Sequence, residues 1–131
     1  MSFALSQIIK PQFVAQAALA ALQLTVDPTL LTQAAAVPAL TKLSLWTARF
    51  TNVTSSPVTL TIYRVPSGST AIAVNCVIGT VAAGITIPVA TANNPYFDWS
   101  PGYQLNPGDA LWGLAGTASA LVVTGDGGIN T

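Results

Sequence analysis

The chain has 131 residues with 4 Lys+Arg against 4 Asp+Glu, and only 6% of it is charged while 51% is hydrophobic, where an ordinary soluble domain is roughly 25% charged. One domain with a sizeable core is the expectation at this length, and disorder is excluded because disordered chains are polar and charged. Zero formal net charge and four scattered cations, Lys10, Lys42, Arg49 and Arg64, leave no basic surface of the kind nucleic-acid binding demands.

Residues 1 to 19 stand apart because they lack turn signals. Met1 to Ile9 carries Phe3, Leu5, Ile8 and Ile9, and Pro11 breaks any continuing helix. The segment reads either as an N-terminal arm that docks on a neighbouring subunit or as a helical turn or two followed by a strand. Phe13 to Leu24 is the most apolar N-terminal stretch, yet Gln16 and Gln23 interrupt it. It is too short to span a hydrocarbon core, which takes about 20 apolar residues. Ala15-Gln16-Ala17 resembles a cleavage site, but the single early charge, Lys10, is followed at once by proline, which fits a signal peptide poorly.

Residues 20 to 131 read as a single β-sandwich domain. Turn residues recur from Pro28 and Pro38 through Ser55-Ser56-Pro57, Pro66-Ser67-Gly68, Asn93-Asn94-Pro95, Pro101-Gly102 and Asn106-Pro107-Gly108-Asp109 to Gly125-Asp126-Gly127-Gly128. Their spacing of about ten residues leaves room for short strands only. Sixteen threonines with many Val and Ile favour the extended backbone. Strands are predicted at Leu22 to Val26, Thr29 to Ala34, Leu43 to Val53, Val58 to Val65, Ala73 to Thr80, Ile85 to Ala90, Tyr96 to Trp99, Ala110 to Leu114 and Ala120 to Thr124. In the third of these, Trp46, Ala48 and Phe50 form the expected core face. It pairs with the fourth as an antiparallel hairpin, on which Leu60 and Ile62 alternate with Thr59 and Thr61. The fold class is therefore all-β: an antiparallel β-sandwich or jelly roll of about eight strands with an N-terminal arm. Trp46, Phe50, Leu60, Ile62 and Trp112 are the candidate core.

Chemistry has little to draw on. There is no His, and every acid is an Asp (Asp27, Asp98, Asp109, Asp126), so the usual base for Ser or Cys nucleophiles and the usual metal-binding imidazoles are missing. Asp109 and Asp126 could join a calcium site built of oxygens, but both sit in apparent turns. Two-carboxylate hydrolysis has to draw on the four aspartates, none of whose pairs has a diagnostic local context; Asp98 with Asp109 is the pair weighed for it. Cys76 lies in an apolar run and reads as a buried thiol. Asn52-Val53-Thr54 matches the glycosylation acceptor formally, inside a turn. The expectation is no catalytic residue, no cofactor and no metal. Tyr96-Phe97-Asp98-Trp99-Ser100-Pro101-Gly102-Tyr103 is the densest aromatic cluster, and Tyr96, Phe97, Trp99 and Tyr103 are the candidate partner contacts, since Tyr and Trp are enriched at interfaces. So little charge on so apolar a chain implies a surface covered by partner subunits.

The run from Thr47 through Arg49-Phe50-Thr51-Asn52-Val53-Thr54 and Val58-Thr59-Leu60-Thr61-Ile62-Tyr63 to Gly68, then Leu105-Asn106-Pro107-Gly108-Asp109-Ala110-Leu111, then Ala118-Ser119-Ala120-Leu121-Val122-Val123-Thr124-Gly125, resembles small structural proteins of tailed bacteriophages. The resemblance covers about residues 42 to 125. It implies a β-sandwich or jelly-roll virion subunit, typically a capsid cement or decoration protein, sometimes a head- or tail-fibre component. On that reading the protein assembles in the bacterial cytoplasm and sits on the capsid surface. Its partners are the major capsid protein and copies of itself, as a trimer first and a dimer second, with no nucleic acid, membrane or small-molecule substrate. The alternative is a fibre module that grips a host surface glycan through Trp99, Tyr96 and Tyr103.

Overall fold

A computed structural model describes residues 3–16, 18–27, 32–80 and 83–131. Pro28, the first part of the strand expected at Thr29 to Ala34, and Ala17 of the cleavage-like triplet lie outside the described residues. Among the described residues twelve strands follow one another: β1 (Phe3–Phe13), β2 (Ala20–Ala21), β3 (Leu24–Thr25), β4 (Gln33–Ala34), β5 (Lys42–Asn52), β6 (Val58–Val65), β7 (Cys76–Ile78), β8 (Ile85–Ile87), β9 (Tyr96–Trp99), β10 (Tyr103–Leu105), β11 (Ala110–Ala115) and β12 (Leu121–Asn130). A 3-10 turn, Ala73–Asn75, precedes β7. No helix among the described residues is long and apolar enough to cross a membrane.

The strands form an antiparallel sandwich. In the first sheet the order is β1-β12-β5, and β9 and β10 lie end to end along the far side of β5. In the second it is β2-β11-β6, with β7 and β8 likewise sharing the far side of β6. Between the sheets, Ile8, Ile9, Leu43, Phe50, Leu121 and Ile129 of the first meet Leu60, Ile62, Ile78, Ile87 and Leu111 of the second in one buried cluster. Burying each such side chain contributes about 1.5–3 kcal/mol against the entropy of ordering the chain. Phe50, Leu60 and Ile62, expected in the core, are fully buried.

The segment expected as an arm or a helical start is β1, an outer strand of the first sheet paired along β12. Its free side is partly covered: the Gln12 carboxamide accepts from the Gln23 backbone N–H at 2.9 Å and donates to the Gln23 carbonyl at 3.0 Å. The Thr25 hydroxyl donates to the Gln7 carbonyl at 2.9 Å. Such cover answers the hazard of an open edge.

Several expectations are overturned, each for a physical reason. Trp46 is 46% exposed rather than core. On β12, Asp126 pairs with Thr47 and the next residue, Gly127, pairs with Leu45, so the register shifts by one residue at Trp46. One extra residue in a period of two exchanges the faces of a strand. Leu43 and Leu45 therefore face the core before this bulge and Ala48 and Phe50 after it. The second correction concerns β5 and β6, which do not pair: they belong to opposite sheets. The 1%-exposed Asn52 shapes the crossing, its amide donating to the carbonyls of Ser56 (2.8 Å) and Ile87 (3.2 Å) and its oxygen accepting from the Thr54 N–H (2.8 Å). Third, Gly125-Asp126-Gly127-Gly128 is not a turn but part of β12. These glycines supply space: a Cβ on Gly127 would collide with the Ser44 carbonyl. Trp112 also leaves the core, half-buried on the outer side of β11, while Leu111, Gly113 and Ala115 face inward.

Candidate functional site

The four aromatics chosen as partner contacts lie on the β9–β10 edge, and the strand period divides them. Phe97 pairs with Phe50, Trp99 with Ala48 and Tyr103 with Leu45, so these three share the core-facing side and pack against the buried cluster half-covered. Tyr96 and Asp98 pair with Thr51 and Arg49 and stand on the outer face. The cluster is thus not a single stacking platform. Phe50, Trp99 and Tyr103 form a ladder from core to edge, with ring centroids 6.3 and 5.6 Å apart and the second pair edge-to-face, a favoured arrangement for aromatic quadrupoles.

Arginines finish both sides of this edge. Arg64 of β6 crosses from the second sheet, donating to the Gln104 carbonyl at 2.8 Å and stacking 4.3 Å above the Tyr103 ring. It closes the open side of the sandwich with a contact between sheets. On the outer face, Arg49 grips Asp98 through two bonds, Nε to Oδ1 at 2.6 Å and Nη2 to Oδ2 at 2.8 Å, and its guanidinium lies 3.8 Å from the Tyr96 ring centre. The Arg49 hydrogen bonds hold the Asp98 carboxyl below the usual carboxylate range, and Asp98 in turn raises Arg49.

Asp109 serves a different end. Its Oδ1 accepts from the Ser67 N–H at 3.0 Å and its Oδ2 from the Asn106 N–H at 2.9 Å. No described depression is lined by both Asp98 and Asp109, so the pair weighed for hydrolysis is not brought together. Among the described residues no three His, Cys, Asp or Glu side chains gather to hold a metal ion. Cys76 is half-buried and burial pushes its thiol up.

Apolar side chains left in water collect around the Asn106–Asp109 turn. On one side a depression of about 410 Å³ is lined by Arg64, Pro66, Val74, Val77, Tyr103 and Asn106; Val74 is 83% and Val77 36% exposed. On the other, an apolar depression of about 320 Å³ is lined by Leu40, Lys42, Pro107 and Asn130. Leu40 is 92% exposed on a left-handed backbone of φ 63°, a conformation a leucine adopts at a cost. Sequence reasoning missed this surface because Ala73 to Thr80 reads as one continuous strand. Instead a 3-10 turn opens it and turns Val74 outward.

Comparison with known proteins finds no family model that matches the chain and no similar curated protein.

Proposed function

We propose that the protein is a non-enzymatic structural subunit of a bacteriophage virion, a capsid cement or decoration protein that stabilises the head by binding between capsomers as a small oligomer. One observation carries this reading. In a chain with 6% charged residues, the exposed Leu40 and Val74 flank the Asn106–Asp109 turn on its two sides, Val74 beside Tyr103 and Arg64. Tyrosine and arginine are enriched at interface centres, and exposed aliphatic side chains beside them gain from being covered. A standard interface buries about 800 Å² per partner. The strand orders β1-β12-β5-β9/β10 and β2-β11-β6-β7/β8 support winding as a jelly roll, an architecture used by capsid subunits. The resemblance of residues 42 to 125 to phage structural proteins supports the same assignment.

Virions stripped of the protein are expected to lose resistance to heat and osmotic shock, and to regain it when the purified protein is added back. Val74→Asp, a change at a solvent-facing side chain, is expected to fold and yet fail to restore resistance. Stripped virions as robust as intact ones would overturn the cement role.

A further inference from the structure

Three of the chain's eight charged side chains surround one depression of about 260 Å³ on the outer face of the first sheet, away from the apolar end. Arg49 and Asp98 form one wall, Asp126 the other, with Thr47 and Thr124 between them. The register places them: Thr124 is opposite Arg49, Asp126 opposite Thr47, and Asp98 opposite Arg49 on its other side. Ala48 and Gly125 pair across the floor and give nothing to fill it, Ala48 being buried and a Cβ on Gly125 pointing at Ile9.

Stability does not account for this concentration of charge. Arg49 and Asp98 are both about half exposed, and an ion pair in water contributes little. What the arrangement provides is a guanidinium fixed in advance, braced by Asp98 on one side and Tyr96 on the other. Of its five N–H donors Asp98 takes two. The remaining donors, the acceptor carboxylate of Asp126 and the two threonine hydroxyls surround a space of about one ring's size. Adjacent hydroxyls of a pyranose, each donating and accepting, match that mixture. One cation against two carboxylates leaves the depression net negative, which opposes anionic ligands and favours an ammonium.

We propose that this depression is a saccharide subsite that takes a neutral or amino-substituted pyranose, formed by Arg49, Asp98, Asp126, Thr47 and Thr124. The assignment is independent of the apolar end and of the cement role.

Amide correlation spectra of the purified protein, titrated with glucose, glucosamine or N-acetylneuraminic acid to tens of millimolar, test it. Glucose and glucosamine are expected to shift residues 47–49, 96–98 and 124–126 only, glucosamine binding about two- to fivefold more tightly, and N-acetylneuraminic acid to leave them unmoved. Asp126→Asn, at an exposed carboxylate, is expected to remove the glucosamine preference while glucose still binds. Arg49→Gln is expected to abolish both. No shifts at these residues, shifts only elsewhere, or tighter binding of the acidic sugar would each overturn the assignment.

Discussion

Asp109 ties together the end of the sandwich that carries the exposed apolar side chains, so its replacement should loosen that whole end. The residue is 8% exposed, and its two carboxylate oxygens hold the N–H groups of Ser67 and Asn106. Its own carbonyl accepts from the Val37 N–H at 3.0 Å, and the Val37 carbonyl accepts from Gly108 at 2.7 Å. Three connections therefore converge on one side chain and its backbone. A hydrogen bond to a charged group contributes about 1.5–3 kcal/mol. Losing two with Asp109→Ala, near the surface where water partly replaces them, should cost about 3 kcal/mol. Asp109→Asn keeps one acceptor but turns an amide donor against an N–H, for about 2 kcal/mol. With a urea m-value of about 2 kcal/mol/M, the alanine variant should unfold at a midpoint lower by about 1.5 M. Urea titration followed by circular dichroism reads this directly. An alanine variant within about 0.5 kcal/mol of the parent would mean that Asp109 does not hold this end together, because surface changes away from special features fall in that range.

Phe50→Ala should cost about 3–5 kcal/mol, the ordinary penalty for emptying a fully buried aromatic site, while Trp46→Ala should shift the same urea midpoint only slightly; the reverse order would contradict the bulge. Gly127→Ala should cost about 1–3 kcal/mol or more, since the Cβ forces β12 away from Ser44, and calorimetry would register it as a lower Tm. Because Arg49 holds the folded-state pKa of Asp98 below its unfolded value, the pair's contribution is present above the ordinary carboxylate range and is lost as pH falls through the lowered pKa. The stability gap between the parent and Asp98→Asn should therefore be small near neutrality and vanish in acid, as paired acid titrations would show; a gap widening toward low pH would contradict it. Iodoacetamide should label Cys76 slowly in the native protein at neutral pH and fully in urea, because burial disfavours the reactive thiolate.

Local chemistry made much of the fold readable. Gly68, Gly102 and Gly108 adopt positive φ in turns that their neighbours Pro66, Pro101 and Pro107 already marked. Tyr96–Trp99 forms the strand its residues suggest, and alternation placed Leu60 and Ile62 inside. What period-two reasoning lost follows from one residue. The bulge at Trp46 exchanges the faces of β5, so an unbroken alternation across Leu43 to Val53 assigns Leu43 to Trp46 to the wrong faces. Turn residues at Ser55-Ser56-Pro57 do not reveal whether a chain reverses within a sheet or crosses to the other, and here Asn52 secures the crossing through Ile87, 35 positions away. The glycines of β12 looked like turn formers because space and positive φ call for the same residue. The candidate sites were less legible still. Arg49 meets Asp98 across 49 positions and Arg64 meets Gln104 across 40, contacts that only the assembled sheets create.

Whether other subunits cover the apolar end of the sandwich, as proposed, is read from the native mass of the purified chain. Light scattering after size exclusion, across a concentration series, should give a stable trimer, or a dimer, that Val74→Asp converts to monomer. A monodisperse monomer persisting at high concentration would contradict the account.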